Sequence, residues 1–295
     1  MASGREALVG VTGSNGYLGR SLVAALRAEH IDVVEFRRVA PDVTGNTTVR
    51  ELDLSEPMDG RVFEGVSCLV HAAWDLRETD PRRAWERNVE GSKRLLETAL
   101  GAGVERFIFV SSMSAYFGTK QDYGLMKLAV ERAVLESSQV VVRPGLVYGA
   151  QSGGMASTLA KLARLPVIPV FRGAQQFTLH IDDFLGAMVT LVRADELPSS
   201  VIGLAHEPPT SFKEIMLTLA PGESGASKTI AVPWRPLLEL LRIAERLRFP
   251  LPVRSDSLLG LVRPAPGVPG RNVAAQLGLS FRPFNFEREL TSEVE

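Results

Sequence analysis

Apolar residues fall in short blocks along the first half of the chain, separated by longer stretches of helical spacing. Residues 8–12, 32–36, 48–52, 67–72, 107–110 and 140–143 are short, rich in Val, Ile, Leu and Phe, and bounded by turn residues. They read as strands, and 67–72 is apolar enough to be buried on both faces. Between them, residues 20–29 and about 123–135 have helical patterns. So does a stretch opened by Pro81 that runs through Trp85, Val89, Leu95, Leu96 and Ala99 to a stop at Gly101. Regular alternation of this kind predicts an α/β fold, a Rossmann-type doubly wound parallel sheet with right-handed crossovers.

The rhythm breaks near Gly149. Gly153-Gly154, Pro166 and Pro169 mark turns, residues 182–192 read as one more helix, and 201–205 as a short strand returning to the sheet. Residues 233–249 place Leu237, Leu240, Leu241, Ala244 and Leu247 at helical spacing, with Arg242, Glu245, Arg246 and Arg248 on or near the other side. That pattern predicts a helix covering a second domain; binding flat on a membrane would call for more basic charge.

The first strand runs into Thr12-Gly13-Ser14-Asn15-Gly16-Tyr17-Leu18-Gly19, three glycines at regular spacing before a helix. A tight turn needs residues that accept positive φ, and a backbone approaching a pyrophosphate needs positions without Cβ. The helix start then turns free N–H groups and the positive end of its dipole toward the phosphates. The expected organisation is a nucleotide-binding domain over residues 1–150, with a return segment at about 177–205. A smaller substrate domain takes 151–176 and 206–295.

Composition sharpens this only slightly. With 295 residues, 45% hydrophobic and 23% charged, the chain reads as globular with a substantial core. A formal net charge of −1 leaves no footprint for nucleic acid or an anionic membrane. The single cysteine, Cys68, sits in an apolar run and reads as a buried thiol. No stretch reaches the length of a membrane span, and the first strand starts too early for a signal peptide. The expectation is a cytoplasmic protein with no membrane partner.

Chemistry enters with Tyr123-Gly124-Leu125-Met126-Lys127, which puts a phenol and an ammonium on one helix face. A neighbouring cation favours the phenolate and so draws a Tyr toward acid/base work near neutrality. Alone, this pair is also an ordinary helix start. Upstream, Phe107-Ile108-Phe109-Val110 ends in Ser111-Ser112-Met113-Ser114, hydroxyls at the carboxyl end of a buried strand, where open α/β sheets bind ligands. Those serines either cap a turn or, through Ser112, hold a reacting oxygen.

Seven motifs then occur in order: Thr12-Gly13-x-x-Gly16-x-x-Gly19, His71-Ala72-Ala73, Asn88-Val89-x-Gly91, Ser111-Ser112, Tyr123-x-x-x-Lys127, Arg143-Pro144-Gly145-x-Val147-Tyr148-Gly149 and Leu179-His180-Ile181-Asp182-Asp183. Over about residues 7 to 205 the chain resembles an extended short-chain dehydrogenase/reductase of the NAD-dependent epimerase/dehydratase group. The resemblance implies that Tyr123 is the general acid/base and that Ser112 positions the substrate oxygen. It gives Lys127 the nicotinamide ribose hydroxyls and the task of lowering the Tyr123 pKa. It assigns Gly13, Asn15, Gly16, Tyr17, Leu18 and Gly19 to the cofactor turn, and Asp53 and Leu54 to the adenine. Ala72, Ala73 and Trp74 would line the cofactor after the fourth strand, with Pro144 and Val147 by the nicotinamide. Met113, Tyr148, Arg172 and Phe177 are the candidate substrate contacts. His180 and Asp182 would tie the substrate domain to the sheet, and Asn88 is a helix hydrogen-bonder or a site residue. No metal is implied. A homodimer through helices around 82–99 and 123–135 is common in the group.

Counting from the glycine turn, the position that holds a ribose-binding carboxylate in NAD-preferring members is Arg37, followed by Arg38. Two guanidiniums suit a ribose 2′-phosphate, so NADP (NADPH) is favoured, with NAD the alternative. Glu35 should point to the same side as Arg37, within reach of a ribose. Ser112 is followed by Met113-Ser114 rather than the Asp-Glu pair of sugar dehydratases, which disfavours elimination. The expected activity is reduction of a nucleotide-linked keto-sugar. The alternatives are an NAD-dependent nucleotide-sugar 4-epimerase, a small-ketone or sterol-type reductase, and a non-catalytic dinucleotide-binding subunit or redox sensor. The substrate is set by residues 151–176 and those after 205, where the resemblance is poorest.

Overall fold

A computed structural model describes residues 8–39, 49–149, 153–220, 228–247, 249 and 253–285. Thr48, Gln151 and Arg248, each part of a stretch discussed above, lie outside the described residues. The first half runs β1 (Leu8–Thr12), α1 (Tyr17–Ala28), β2 (Val33–Arg37), β3 (Val49–Glu51), β4 (Val66–His71), α2 (Pro81–Trp85), α3 (Gly91–Gly101), β5 (Arg106–Val110), α4 (Asp122–Glu136) and β6 (Val140–Pro144). The second half continues with β7 (Leu146–Tyr148), α5 (Gly154–Leu162), β8 (Val167–Val170), β9 (Gln175–Gln176), β10 (Thr178–His180), α6 (Ile181–Arg193) and β11 (Val201–Leu204). It ends with β12 (Thr210–Ser211), α7 (Phe212–Leu219), β13 (Lys228–Ala231), α8 (Trp234–Arg246), α9 (Ser255–Val262) and α10 (Arg271–Gln276).

Seven parallel strands form one sheet in the order β11-β6-β5-β4-β1-β2-β3, so the expected doubly wound architecture is present and β11 does return to it. Both faces are apolar because alternate residues of each strand feed separate cores. Val9, Val11, Ile108, Val110 and Val142 pack with Leu22, Leu26, Phe184 and Leu191 from α1 and α6 on one face. Val34, Phe36, Phe107, Phe109 and Val141 pack with Leu95, Leu96, Val130 and Val134 from α3 and α4 on the other. The crossover direction reverses between β1 and β4, and that switch opens a crevice at their carboxyl ends.

The helix expected from Pro81 to Gly101 is interrupted. Asp80 caps α2 by accepting from the Arg82 and Arg83 amides, and Glu86–Glu90 forms a π-helical turn before α3. At its centre the buried Asn88 side chain bonds both backbone groups of Asp75, accepting from its N–H at 2.7 Å and donating to its C=O at 3.0 Å. Asn88 thus ties this helical segment to the loop after β4. A Cβ at Gly91 would stand 2.5 Å from the Leu54 carbonyl oxygen, so the helix approaches the segment after β3 closely only because that position is glycine.

Beyond Gly149 the elements are smaller. β13 joins β8 in parallel, β12 joins β9 antiparallel, and β10 joins β7. Leu159, Ile168, Val170, Phe212, Ile215, Met216 and Leu261 form a separate core, and α8 and α9 meet through Leu238, Leu258 and Leu259. Among the described residues no helix is long and apolar enough to cross a membrane.

Candidate active site

At the crevice a cavity of about 920 Å³ is lined by both halves of the chain. From the sheet side come Gly13, Gly16, Tyr17, Leu18, Gly19, Ala72, Trp74, Ser112, Met113, Tyr123, Lys127, Pro144 and Val147. From the second half come Phe177 and residues of α5 and α9. One space therefore brings together the glycine turn and the Ser–Tyr–Lys set that the sequence placed far apart.

The turn is built for close approach. Gly13 has φ of 69°, and a Cβ there would lie 2.7 Å from the Ala73 amide nitrogen. A Cβ at Gly19 would run into the Gly13 carbonyl oxygen. Gly16, the N-cap of α1, has no side chain to occupy the first-turn amides, so the N–H groups of Tyr17, Leu18 and Gly19 are available on the cavity side. These features fit the pyrophosphate of a dinucleotide.

Under the turn runs a directional hydrogen-bond chain. The Ala73 N–H donates to Thr12 Oγ1 at 3.2 Å, and Thr12 Oγ1 lies 2.7 Å from His71 Nδ1. His71 Nε2 lies 2.8 Å from Ser92 Oγ, whose own proton goes to the Asn88 carbonyl. Only the neutral imidazole protonated on Nε2 satisfies all of these at once. Burial, reinforced by the charge of Lys127, pushes the His71 pKa down to about 3.

Tyr123 and Lys127 are positioned by α4. The Lys127 side chain is buried, its Nζ donates to the Val110 carbonyl at 2.8 Å, and it stands 3.7 Å from the centre of the Trp74 ring. The Trp74 ring in turn meets the Tyr123 ring edge-on, centroids 5.9 Å apart. Burial drives the Lys127 pKa well down, although Glu131 one turn along opposes this. Burial likewise pushes the Tyr123 phenol up to about 12, against the Ser112 hydroxyl, which draws it down. The expectation of a phenol drawn toward neutrality by its neighbouring lysine is thus reversed in these surroundings. For both groups desolvation is the largest cause of the shift.

Behind them, Glu131 accepts from Arg143 Nη2 at 2.6 Å and Nε at 2.9 Å, and also from Ser111 Oγ. This buried network locks α4 to the ends of β5 and β6.

Other predicted residues fall elsewhere. Arg37 folds back onto Glu35, donating from Nη2 at 2.7 Å and Nε at 3.2 Å, and Arg27 lies 2.9 Å from the other Glu35 oxygen. Burial pushes the Glu35 carboxyl up, but the Arg37 hydrogen bonds and the two guanidinium charges overcome it and the net shift is downward. The free guanidinium expected at Arg37 is therefore engaged, the free carboxylate at Glu35 is neutralised, and Arg38 stays exposed. Leu54 is packed in the core, Asp53 accepts from the Ser55 amide, and neither lines the cavity; nor do Asn15 and Ala73. Tyr148, expected at the substrate, is 1% exposed, packed against His180 and Phe284, with its hydroxyl donating to the Pro283 carbonyl. Arg172, also expected there, is exposed and outside the lining. His180 Nδ1 caps α6 by accepting from the Asp182 amide at 3.2 Å.

Sequence reasoning missed Asp256, Met155 and Leu261 on the cavity wall. Asp256 stands in the first turn of α9, and no local motif distinguishes it from a residue that merely starts a helix.

A doubly wound parallel sheet, a glycine turn between β1 and α1, and a Ser–Tyr–Lys set on one cavity define the extended short-chain dehydrogenase/reductase class. The chain belongs to the NAD dependent epimerase/dehydratase family, whose model matches residues 9–203. It is similar to a ceramide reductase of Caulobacter vibrioides, 26% identical over 79% of this chain and 76% of that protein. It is also similar to a UDP-glucose 4-epimerase of Vibrio cholerae, 29% identical over 71% of this chain and 74% of that one. Among solved structures, gox2253 superposes with a TM-score of 0.72 at 20% identity, covering 95% of this chain and 94% of that one. MoeE5 in complex with UDP-glucose and NAD gives a TM-score of 0.61 at 23% identity, covering 86% of this chain and 96% of that one.

Proposed function

We propose that this protein is an NAD(P)-dependent oxidoreductase that interconverts a carbonyl and a carbinol. The observation that carries it is that Ser112, Tyr123 and Lys127 line the same cavity as the glycine turn. The first-turn amides of α1 would hold the pyrophosphate, and Lys127 and Pro144 would lie along the nicotinamide ribose and ring. Bound there, the cofactor supplies the hydride donor or acceptor. The chain's own residues handle the oxygen: Ser112 donates a hydrogen bond to it and Tyr123 gives or takes its proton. A phenol held in its protonated form by its surroundings suits the reductive direction, in which it acts as the acid.

For the cofactor, NADPH remains the reading we favour, now resting on the exposed Arg38 more than on Arg37. For the substrate, a nucleotide-linked keto-sugar is supported by the UDP-glucose 4-epimerase relative and by a 29% identical dTDP-6-deoxy-L-talose 4-dehydrogenase of Kitasatospora kifunensis. A second reading, a lipid-like ketone, is favoured by apolar side chains around the cavity. Leu76, Trp85, Leu125, Met155 and Leu261 line the cavity, and the first three are exposed large side chains. The ceramide reductase relative points the same way.

The test is cofactor oxidation, followed at the nicotinamide absorbance, with NADPH or NADH and three probes: a dTDP-linked ketohexose, a UDP-linked ketohexose and a medium-chain methyl ketone. Turnover of a sugar nucleotide supports the first substrate reading and turnover of the methyl ketone alone supports the second. Sugar interconversion with no net cofactor consumption would replace the reductase by an epimerase. A preference for NADPH that persisted undiminished in Arg38→Ala, or a preference for NADH in the unaltered protein, would remove the argument.

A further inference from the structure

The helix that carries Tyr123 and Lys127 does not cap itself. Its N-cap residue, Gln121, makes no side-chain capping bond. The cap comes from the far end of the chain, where Asp256 Oδ1 accepts from the Asp122 amide at 2.7 Å and Oδ2 from the Tyr123 amide at 3.3 Å. A carboxylate is the strongest partner for this position, since it satisfies free N–H groups and faces the positive end of the helix dipole. The Gln121 side-chain amide completes the joint by donating to the Asp256 carbonyl at 2.9 Å. Gly260, one turn further along α9, makes room for it, because a Cβ there would collide with the Gln121 amide.

Asp256 lies outside residues 9–203, the part of the chain matched by the family. It lines the same cavity as Ser112 and Tyr123, together with Ser257, Gly260 and Leu261 of α9. Asp256 grips the backbone amide of the acid/base candidate itself, from the element that forms the opposite wall.

We propose that Asp256 is a positioning residue for the reaction: by holding the first turn of α4 from α9, it sets where the Tyr123 phenol stands relative to Ser112. The proposal rests on the reading of Tyr123 as the acid/base. A second consequence follows from its charge. The groups facing Tyr123 are Ser112 beyond β5, the Trp74 ring edge, Lys127 on its own helix and Asp256 on α9. After burial, the Asp256 carboxylate is a further cause that holds the phenol protonated. Asp256 itself is raised by burial, lowered by the two amides it accepts from, and faced by Asp122 and Arg254.

The test compares Asp256→Asn, Asp256→Ala and Tyr123→Phe in the full-length enzyme. It uses NADPH and whichever of the ketohexose or methyl ketone probes is turned over. Asn keeps an accepting oxygen for the helix and loses the charge; Ala loses both. For Asp256→Ala, kcat is expected to fall on the order of tenfold to a hundredfold, the range a displaced catalytic group produces, with NADPH affinity unchanged. Asp256→Asn is expected to recover most of kcat while moving the alkaline limb of its pH profile to lower pH. An unchanged kcat in Asp256→Ala overturns the proposal. So does an alkaline limb that stays in place in Asp256→Asn, and this second readout decides the matter if the Ala variant does not fold. If Tyr123→Phe keeps full turnover, the functional reading itself fails. If only Tyr123→Phe is impaired, the reading stands and the role of Asp256 falls.

Discussion

The two walls of the cavity are made from different materials. On the sheet side, many buried polar groups have fixed partners: Thr12 with His71 and Ala73, His71 with Ser92, Lys127 with Val110, and Glu131 with Arg143 and Ser111, while the buried Tyr17 hydroxyl has none among the described residues. On the opposite side, Met155, Ala156, Leu261, Pro264 and Ala265 offer apolar surface among Thr158, Arg254 and Ser257, and Asp256 reaches from it to the sheet wall. Directional bonds in a dry interior hold atoms to one geometry, because a displaced group forfeits its partner and its hydration together. Apolar contact has no such direction and accepts changes of shape at modest cost. Under the proposed function the first wall would carry the chemistry and the second would set the choice of substrate.

That contrast can be broken by substitution. Glu131→Ala leaves the nearly buried Arg143 guanidinium without its carboxylate, and breaking such a pair costs about 3–5 kcal/mol. Chemical denaturation should show a loss of that size, and a loss under about 1 kcal/mol, the level of a surface pair, would contradict the claim that the sheet wall is rigidly paired. Gly19→Ala drives a methyl group into the Gly13 carbonyl. Dinucleotide affinity, measured by calorimetry, should weaken on the order of a hundredfold, the cost of misplacing a positioned group.

The pH dependence of stability probes the same wall. His71 is neutral in the folded protein down to about pH 3, whereas an unfolded His protonates near 6.5. Between those values the unfolded chain binds the extra proton, so stability falls as pH falls and is restored as pH rises. This one group contributes a slope of at most about 1.4 kcal/mol per pH unit. Asn substituted at His71 should flatten the thermal-stability profile across that window by one proton; an unaltered slope would show that His71 is not held neutral.

The smallest effect belongs to the apolar wall. Met155→Ala should raise KM by no more than about tenfold and leave kcat alone, since it removes contact made equally in the ground and transition states. A kcat effect as large as its KM effect would erase the distinction between the walls.

The same division explains what could be read from the chain. Sheet strands announce themselves by apolar blocks between turns, and the glycine turn and Tyr123-x-x-x-Lys127 are local patterns, so the fold and the residues of the first wall were legible. Where the reading went astray, a partner distant in sequence or a solvent effect intervened. Arg27 joins Arg37 on Glu35 from a separate element, and burial reverses the pKa shift expected for Tyr123. Tyr148 was assigned to the substrate and instead anchors Pro283, residues with no local relation. Asp256 caps a helix more than a hundred residues upstream, a contact only the folded chain displays.

The central claim is that Tyr123 carries the proton at a carbonyl held beside the glycine turn. Single-turnover hydride transfer, followed at the nicotinamide absorbance with saturating NADPH and the active carbonyl probe, isolates that step. In Tyr123→Phe the rate should fall about 10²- to 10⁴-fold, the usual worth of a positioned general acid, with cofactor affinity unchanged. A single-turnover rate equal to that of the unaltered protein would contradict the account.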